Sequence, residues 1–215
     1  MVCLPLPPSG QEAVAPLRAG RERRLATDWP RAALPGPGEP ELAIPRLPDR
    51  PASWAHYQLP VDPVTGVQPA ALRHEGDRPR GARADGIRIG TTPGTPVRVA
   101  SLAGQQGAAE VLLVGQPDAA SVVTAHRVAE PAGLRTYLVL YGELGRLAPD
   151  LARGAALAPG VVIGLAGGEA GAGGAVYLEV RLLHPGLAAP QGPLSRAALC
   201  AASAACDPRN VLARR

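Results

Sequence analysis

The sequence contains no phenylalanine and no lysine, and its 215 residues include only two tryptophans, four tyrosines and three cysteines. The absence of lysine excludes a carrier domain that attaches a lipoyl or biotinyl group through that side chain. All 22 basic residues are therefore arginines, and they are scattered along the chain. A nucleic-acid-binding protein usually shows a basic stripe with aromatic residues beside it, so no nucleic-acid partner is expected.

Long apolar runs are also missing, and no segment has the length and hydrophobicity of a transmembrane helix. The first residues, Met-Val-Cys-Leu-Pro-Leu-Pro-Pro, have neither the basic n-region nor the apolar h-region of a signal peptide. The numbering starts after a cleavage, export uses another route, or the protein stays inside the cell. The sequence does not decide between these three.

Two of the cysteines, Cys200 and Cys206, lie close together in the segment Cys-Ala-Ala-Ser-Ala-Ala-Cys. This spacing allows a disulfide that closes a small loop in an oxidising compartment. The alternative is a pair of buried thiols on one short helix. Cys3 lies apart from them, near the N-terminus.

Residues 1–55 form a Pro/Arg-rich segment that is interpreted as an extended arm or linker. The first 50 residues contain ten prolines, seven arginines and six acidic residues, and proline at this density opposes regular helices and strands. One short helix is expected around residues 11–27. Trp29 and Trp54 are the expected anchors of the arm on another surface.

Residues 56–215 are predicted to form a mainly β domain, built as an antiparallel sheet or sandwich. Short runs rich in β-branched residues alternate between apolar and polar positions, which indicates strands with one buried face. Leu147–Ala156 is the one helical or turn candidate among them. The predicted strands are Val97–Ala100, Ala109–Val114, Ser121–His126, Thr136–Tyr141, Val161–Leu165 and Val176–Leu182.

Residues 183–206 interrupt this β pattern with a Pro/Gly loop and an alanine-rich stretch. Ser195–Ala205 is predicted to form a short helix with Ser195 as its N-cap.

Several segments occur in an order and spacing that resemble the LytM (lysostaphin-type) zinc endopeptidases, which cut peptide cross-bridges of bacterial cell walls. The resemblance implies a fold of the LytM type, similar to a barrel-sandwich hybrid, over about residues 57–182 and 207–212. It also implies that residues 183–206 are an insertion. The segments are Leu59-Pro-Val-Asp62, Asp85-Gly-Ile-Arg-Ile-Gly90, Gly94-Thr-Pro-Val97, Tyr141-Gly-Glu-Leu144, Gly160-Val-Val-Ile-Gly164, Tyr177-Leu-Glu-Val-Arg181 and Asp207-Pro-Arg-Asn-Val-Leu212.

The family's zinc ligands and catalytic histidines are replaced in this chain. Its first motif is His-x-Gly-x-Asp, and alignment on Gly86 places Ala84 and Arg88 at the two ligand positions. Its last motif is His-x-His, where this chain has Ala175 and Tyr177, and Glu143 stands for the remaining catalytic histidine. A catalytic zinc needs about three N, O or S ligands from the protein. Alanine has no donor atom, and a protonated guanidinium repels a cation.

The resemblance with these replacements implies a catalytically inactive, pseudo-enzyme domain without a metal cofactor. It implies a groove lined by Ala84, Arg88, Glu143, Ala175 and Tyr177. The expected role is a structural or regulatory binding subunit with protein partners in a bacterial envelope or secreted assembly, and with contact to peptidoglycan. The expected location is the periplasm, the cell surface or the medium. Such an exported location favours a Cys200–Cys206 disulfide.

Two alternatives stay open. One is an atypical zinc endopeptidase acting on peptidoglycan cross-bridges, in which the cluster His74-Glu75-Gly76-Asp77 helps to rebuild a metal site. The other is a structural domain of the barrel-sandwich type. No pair of histidines in the sequence has the His-x-His or His-x-x-x-His spacing of a metal motif.

Overall fold

The computed structural model describes residues 42–70, 84–115, 120–169, 173–189 and 195–215. Within them lie ten strands, one α-helix and two short 3-10 turns at Trp54–His56 and Pro208–Asn210. The helix α1 spans Arg196–Ala202. The strands are β1 (Gly66–Ala70), β2 (Gly86–Thr91), β3 (Pro96–Arg98), β4 (Ala109–Val114), β5 (Ala120–Glu130), β6 (Gly133–Leu147), β7 (Ala156–Leu157), β8 (Val162–Glu169), β9 (Gly173–Leu183) and β10 (Ser203–Cys206).

All ten strands belong to one antiparallel sheet with the order β1-β2-β9-β8-β6-β5-β4-β7. Strand β10 pairs with β9, strand β3 pairs with β8, and β6 also pairs with β9. The mainly β, antiparallel architecture expected from the alternating sequence is therefore confirmed. No described helix has the length and apolarity needed to cross a membrane.

The alternation along β9 separates two faces of the sheet. Val176, Leu178, Val180 and Leu182 point into the main core, which also contains Ile89 and other apolar side chains. Tyr177 and Leu183 point the other way, into a smaller apolar cluster that includes Leu199 of α1. We call this other side the helix face. Both faces of β9 are buried because an apolar layer covers each of them. An ordinary half-buried strand has an apolar layer on one face only.

Strand β6 changes its partner at Glu143. Residues 137–142 pair with β9, and residues 144–147 pair with β8. Glu143 has a φ of 59°, a left-handed conformation that non-glycine residues rarely adopt. This turn of the backbone separates the two halves of β6 and places the Glu143 side chain at the junction of three strands.

The C-terminal insertion contributes both a helix and a strand. Ser195 caps α1 as predicted, since its hydroxyl accepts a hydrogen bond from the Ala198 amide at 3.1 Å. The helix ends at Ala202, however, and Ser203–Cys206 extends the sheet beside β9. The prediction of helix through Ala205 was wrong, because the backbone partners that β9 offers outweigh the helix propensity of alanine.

The predicted disulfide between Cys200 and Cys206 is not present. Cys206 is a free thiol that is fully buried in the main core, whereas Cys200 is disulfide-bonded. Cys206 lies on β10, and its side chain points into the main core on the side of the sheet opposite to α1. It therefore does not face Cys200 of the helix. Burial also raises the pKa of the Cys206 thiol, so this thiol is unreactive. Cys3 lies outside the described residues.

Most predicted strands are present, and several are longer than expected. Ala109–Val114 is confirmed at both ends, and β5, β6 and β9 extend the predicted cores of these strands. Strands β1 and β2 were not among the predicted strands. Leu147–Ala156 contains turns and leads into β7 without a helix. The expected helix at residues 11–27 and Trp29 lie outside the described residues.

Residues 42–55, the described part of the expected arm, contact the β domain. Leu42, Ile44 and Tyr57 are buried, and the Ile44 backbone bonds to Ala205 and Asp207. Trp54 packs against the core and lies 4.8 Å below the Arg209 guanidinium, a cation–π contact. The described part of the arm is therefore joined to the C-terminal segment.

Asn210 joins these two segments most directly. Its amide nitrogen donates to the Pro45 carbonyl at 2.9 Å, and its amide oxygen accepts from the Leu47 N–H at 2.7 Å. The side chain is buried, so its removal leaves backbone groups without partners, at about 1–3 kcal/mol each.

Asn210→Ala is expected to lower the free energy of unfolding by about 2–4 kcal/mol in urea denaturation. The control is Gln106→Ala at an exposed position, whose free energy of unfolding is expected to lie within about 0.5 kcal/mol of the wild type. Equal free energies of unfolding for both variants would contradict a stabilising role for the Asn210 hydrogen bonds.

Candidate functional site

A groove of about 790 Å³ lies where β1, β2, β6, β8 and β9 meet. It opens on the helix face of the sheet, because Ala175 in its lining has the same orientation along β9 as Tyr177. Side chains are scarce in its walls, which consist largely of glycine. The lining residues are Thr65, Gly66, Val67, Gln68, Arg88, Gly90, Glu143, Leu144, Gly145, Gly167, Gly168, Gly173, Gly174 and Ala175.

Two of these glycines lie where β6 and β8 approach each other closely. A Cβ atom at Gly167 would lie 2.4 Å from the Glu143 carbonyl oxygen, and a Cβ at Gly145 would lie 3.1 Å from the Gly167 Cα. No other residue fits at Gly167 without a shift of the backbone. The glycines thus bring Glu143 next to β8 and leave the floor of the groove bare.

An ion pair crosses the groove. Arg88 Nε lies 2.8 Å from Glu143 Oε2, and the two side chains are 48% and 32% exposed. Arg88 is opposite Tyr177 in the pairing of β2 with β9, and Gly142, which precedes Glu143, is opposite Tyr177 on its other side. An exposed pair of this kind stabilises a fold by about 0–1 kcal/mol. The pair therefore shapes the groove more than it holds the domain together.

Tyr177 lies outside the groove, with no exposed surface. Its hydroxyl donates to Glu179 Oε2 at 2.7 Å. Burial, together with the negative charge of Glu179, raises the pKa of Tyr177. The phenol therefore stays protonated and is held by a hydrogen bond that points away from the groove.

Of the five predicted groove residues, the structure brings three together. Arg88, Glu143 and Ala175 line the groove. Ala84 precedes β2 and is half-buried, but it is not part of the lining, and Tyr177 is buried beneath α1. The expectation of a single groove lined by all five is corrected accordingly.

The residues at this place do not fit the zinc ion that the sequence resemblance implies. Arg88 puts a positive charge into the groove, Ala84 and Ala175 offer no donor atom, and the Tyr177 phenol is protonated and engaged. Within the described ranges, no group of three or more His, Cys, Asp or Glu side chains is placed to hold a metal ion. The cluster His74-Glu75-Gly76-Asp77 lies outside those ranges.

Next to the groove, a buried ionic network joins α1 to the sheet. Glu179 is fully buried and accepts charge-assisted hydrogen bonds from Arg181 Nη1, at 2.6 Å, and from Arg196 Nη1. Arg196 Nη2 also lies 3.0 Å from Asp85 Oδ2. Arg181 in turn donates to the hydroxyl and carbonyl oxygens of Ser203 at 2.8 and 2.7 Å.

The two acids of this network differ in protonation behaviour although they share Arg196. Burial alone would raise the pKa of Glu179, but the charges of Arg196 and Arg181 outweigh burial and hold this pKa below its usual value. Burial, followed by the charge of Glu179, raises the pKa of Asp85, which has a single arginine partner. Glu179 is therefore the ionised centre of the network.

Sequence reasoning missed this network. Glu179 and Arg181 served only to align the last motif, and Arg196 was part of an alanine-rich segment without a role. A usable signal existed, since Glu179 and Arg181 occupy the same alternating face of β9 as Tyr177. Two charged residues on a strand buried on both faces must be paired.

The histidines do not form a site in the described chain. His126 is fully buried between Thr124 Oγ1, at 2.7 Å, and Gln105 Oε1, at 3.0 Å. Burial lowers its pKa to about 4, so this imidazole is neutral at physiological pH. Its position inside the main core gives it a structural role.

Comparison with known proteins gives only structural matches. No protein-family model matches the chain, and no curated protein matches its sequence. The catalytic domain of the prophage-encoded M23 protein EnpA from Enterococcus faecalis is 20% identical over 56% of this chain and 82% of that chain, with a TM-score of 0.34.

Two further solved structures are of the same kind. The antimicrobial peptidase lysostaphin from Staphylococcus simulans is 15% identical over 61% of this chain and 49% of its own, with a TM-score of 0.40. A zinc-containing peptidase from Vibrio cholerae is 26% identical over 60% of this chain and 37% of its own, with a TM-score of 0.39. The matched part spans less than half of either protein. The neighbours are the kind of protein that the sequence resembles, and at these scores they carry no inference about activity.

The network is tested by Glu179→Gln. Removing this charge leaves two arginines without their main partner, and breaking a buried pair costs about 3–5 kcal/mol. Because the folded-state pKa of Glu179 lies below its unfolded value of 4.5, its stabilisation is complete above that value and is lost as the pH falls through the folded-state pKa. The difference in unfolding free energy between wild type and variant is thus expected to be largest near pH 7 and to shrink below pH 4.5.

The control is Glu110→Gln, at an exposed position of β4. It is expected to change stability by less than about 0.5 kcal/mol at any pH. A Glu179→Gln variant as stable as this control at pH 7, measured by urea denaturation, would show that the network does not hold α1.

Proposed function

We propose that this chain is a non-catalytic binding domain of the lysostaphin-type fold, in which the groove holds an extended peptide. It acts as a structural or regulatory subunit of a bacterial envelope or secreted assembly. The observation that carries the proposal is the ion pair Arg88–Glu143, which stands in the groove where the sequence resemblance places a metal centre. The assignment to the envelope rests on the sequence resemblance alone.

The side chains at the site support a non-catalytic role. Arg88 cannot act as a base because its guanidinium stays protonated in proteins. Glu143 could accept a proton, but it is paired with Arg88 and has no activated nucleophile within the groove lining. Tyr177, the remaining polar group of the motif positions, is sealed beneath α1. Hydrolysis of a peptide bond requires an activated water or nucleophile, and these groups supply neither.

Binding of an extended peptide is supported by the shape and lining of the groove. Its volume is within the roughly 300–1,000 Å³ range of ligand clefts. The glycine walls keep side chains out of the groove, so an extended chain has room to lie against the sheet. The polar groups of Arg88, Glu143 and Gln68 supply directional contacts.

Filling the groove from β1 tests this role. Gly66 lines the groove, and a Cβ added there meets nothing within 4 Å, so Gly66→Leu occupies the groove without disturbing the fold. The probe is the peptide acetyl-Gly-Ala-Gly-Ala-Ala with a free carboxylate, titrated by calorimetry. Wild type is expected to bind it, and Gly66→Leu is expected to bind at least about tenfold more weakly, a loss of 1.4 kcal/mol or more.

The matched control is Ala108→Leu, which adds the same side chain at an exposed position outside the groove lining. It is expected to retain wild-type affinity, and both variants are expected to retain the wild-type melting temperature. No binding of the probe to wild type, or equal binding to both leucine variants, would contradict the proposed function.

A further inference from the structure

We infer that the groove receives the C-terminal end of a peptide, with the terminal carboxylate bound by Arg88, and does not receive the middle of a chain. The inference rests on the proposed function and specifies its ligand. Two features carry it: the groove ends at Arg88, and none of the described residues hydrogen-bonds the outer nitrogens of this guanidinium.

The groove ends where the helix face of the sheet becomes buried. Arg88 is half-exposed, whereas the next residue with the same orientation on β2, Gly86, is buried. A Cβ at Gly86 would lie 2.9 Å from the Tyr177 hydroxyl oxygen, so the tyrosine ring covers this position. On β9, exposure also stops after Ala175, since Tyr177 and Glu179 have no exposed surface.

The closed end is held in place by α1. Leu199 of the helix packs in the same apolar cluster as Tyr177. Arg196, one helical turn before it, bonds to Glu179 on β9 and to Asp85 at the start of β2. Opening this end would separate buried charges, which is costly. An extended chain therefore cannot continue along the sheet past Arg88, and a chain end is accommodated at this position.

The chemistry at the closed end suits a carboxylate. Arg88 uses Nε for Glu143, and within the described residues its Nη1 and Nη2 atoms have no hydrogen-bond partner. A guanidinium binds a carboxylate through two parallel N–H···O bonds, and the free nitrogens offer such a pair. The hydrogen bond to Glu143 orients the guanidinium, which reduces the side-chain entropy lost when the ligand binds.

The decisive comparison uses three forms of one probe. They are acetyl-Gly-Ala-Gly-Ala-Ala as the free acid, the same peptide as the C-terminal amide, and an amide in which the central glycine is replaced by aspartate. The last form carries its carboxylate inside the chain, which separates a terminal carboxylate from a side-chain one. The free acid is expected to bind wild-type protein at least tenfold more tightly than either amide.

The variants Arg88→Gln and Arg98→Gln test whether the preference for the free acid depends on Arg88. Arg98 is an exposed arginine on β3, outside the groove lining, whose Nη1 donates to the Gly160 carbonyl at 3.0 Å. Arg88→Gln is expected to bind the acid and the plain amide with equal affinity, and Arg98→Gln is expected to keep the wild-type preference.

The outcomes separate this inference from the proposed function. Equal binding of acid and amide to wild type, or an acid preference that survives Arg88→Gln, overturns the chain-end inference and leaves peptide binding in the groove intact. A preference for the internal aspartate overturns it as well, because such a chain would have to pass the closed end. Failure of all three peptides to bind wild type overturns both.

Discussion

The carboxylate of Glu179 is fully buried in the sheet, and the arrangement of the site depends on how it is neutralised. Arg181 on the same strand and Arg196 on α1 provide the positive charges, and the Tyr177 hydroxyl provides a further hydrogen bond. A buried carboxylate without these partners would be strongly destabilising. Its requirement for partners draws α1 onto the sheet and turns Tyr177 away from the groove.

This constraint explains why the groove is short. If α1 were absent, the helix face of β9 would offer a continuous surface from Ala175 to Leu183. With α1 in place, Tyr177, Glu179 and Arg181 are covered, and only the part beside the glycine-rich β8 stays open. The open part carries one ion pair, Arg88–Glu143. Its exposure makes it weak as a structural interaction and accessible as a recognition element. The proposed peptide-binding role follows from this division between a sealed half and an open half.

Alternation and resemblance in the sequence indicated the β architecture and the location of the groove. Arg88, Glu143 and Ala175 were expected in one groove and do line it. The positions of Ala84 and Tyr177 were not predictable, because motif spacing specifies a residue's place on a strand but not which helix later covers it. Strand β10 was missed because Ser203–Cys206 has no alternation of its own, and only its partner β9 makes it extended. Strand β10 also directs Cys206 into the main core, away from Cys200. The expected disulfide therefore fails because of pairing with β9, which the local sequence does not indicate.

Zinc titration of the chelator-treated full-length protein, followed by calorimetry, tests the central claim most directly. The claim is that this groove is an ion-paired binding site and not a metal centre. The Arg88 guanidinium occupies the groove and engages the Glu143 carboxylate, and the described residues offer no metal-binding group of three or more His, Cys, Asp or Glu side chains. The account therefore predicts no saturable one-to-one binding of zinc. Tight one-to-one binding that is lost in Glu143→Ala, with the fold intact by circular dichroism, would contradict it.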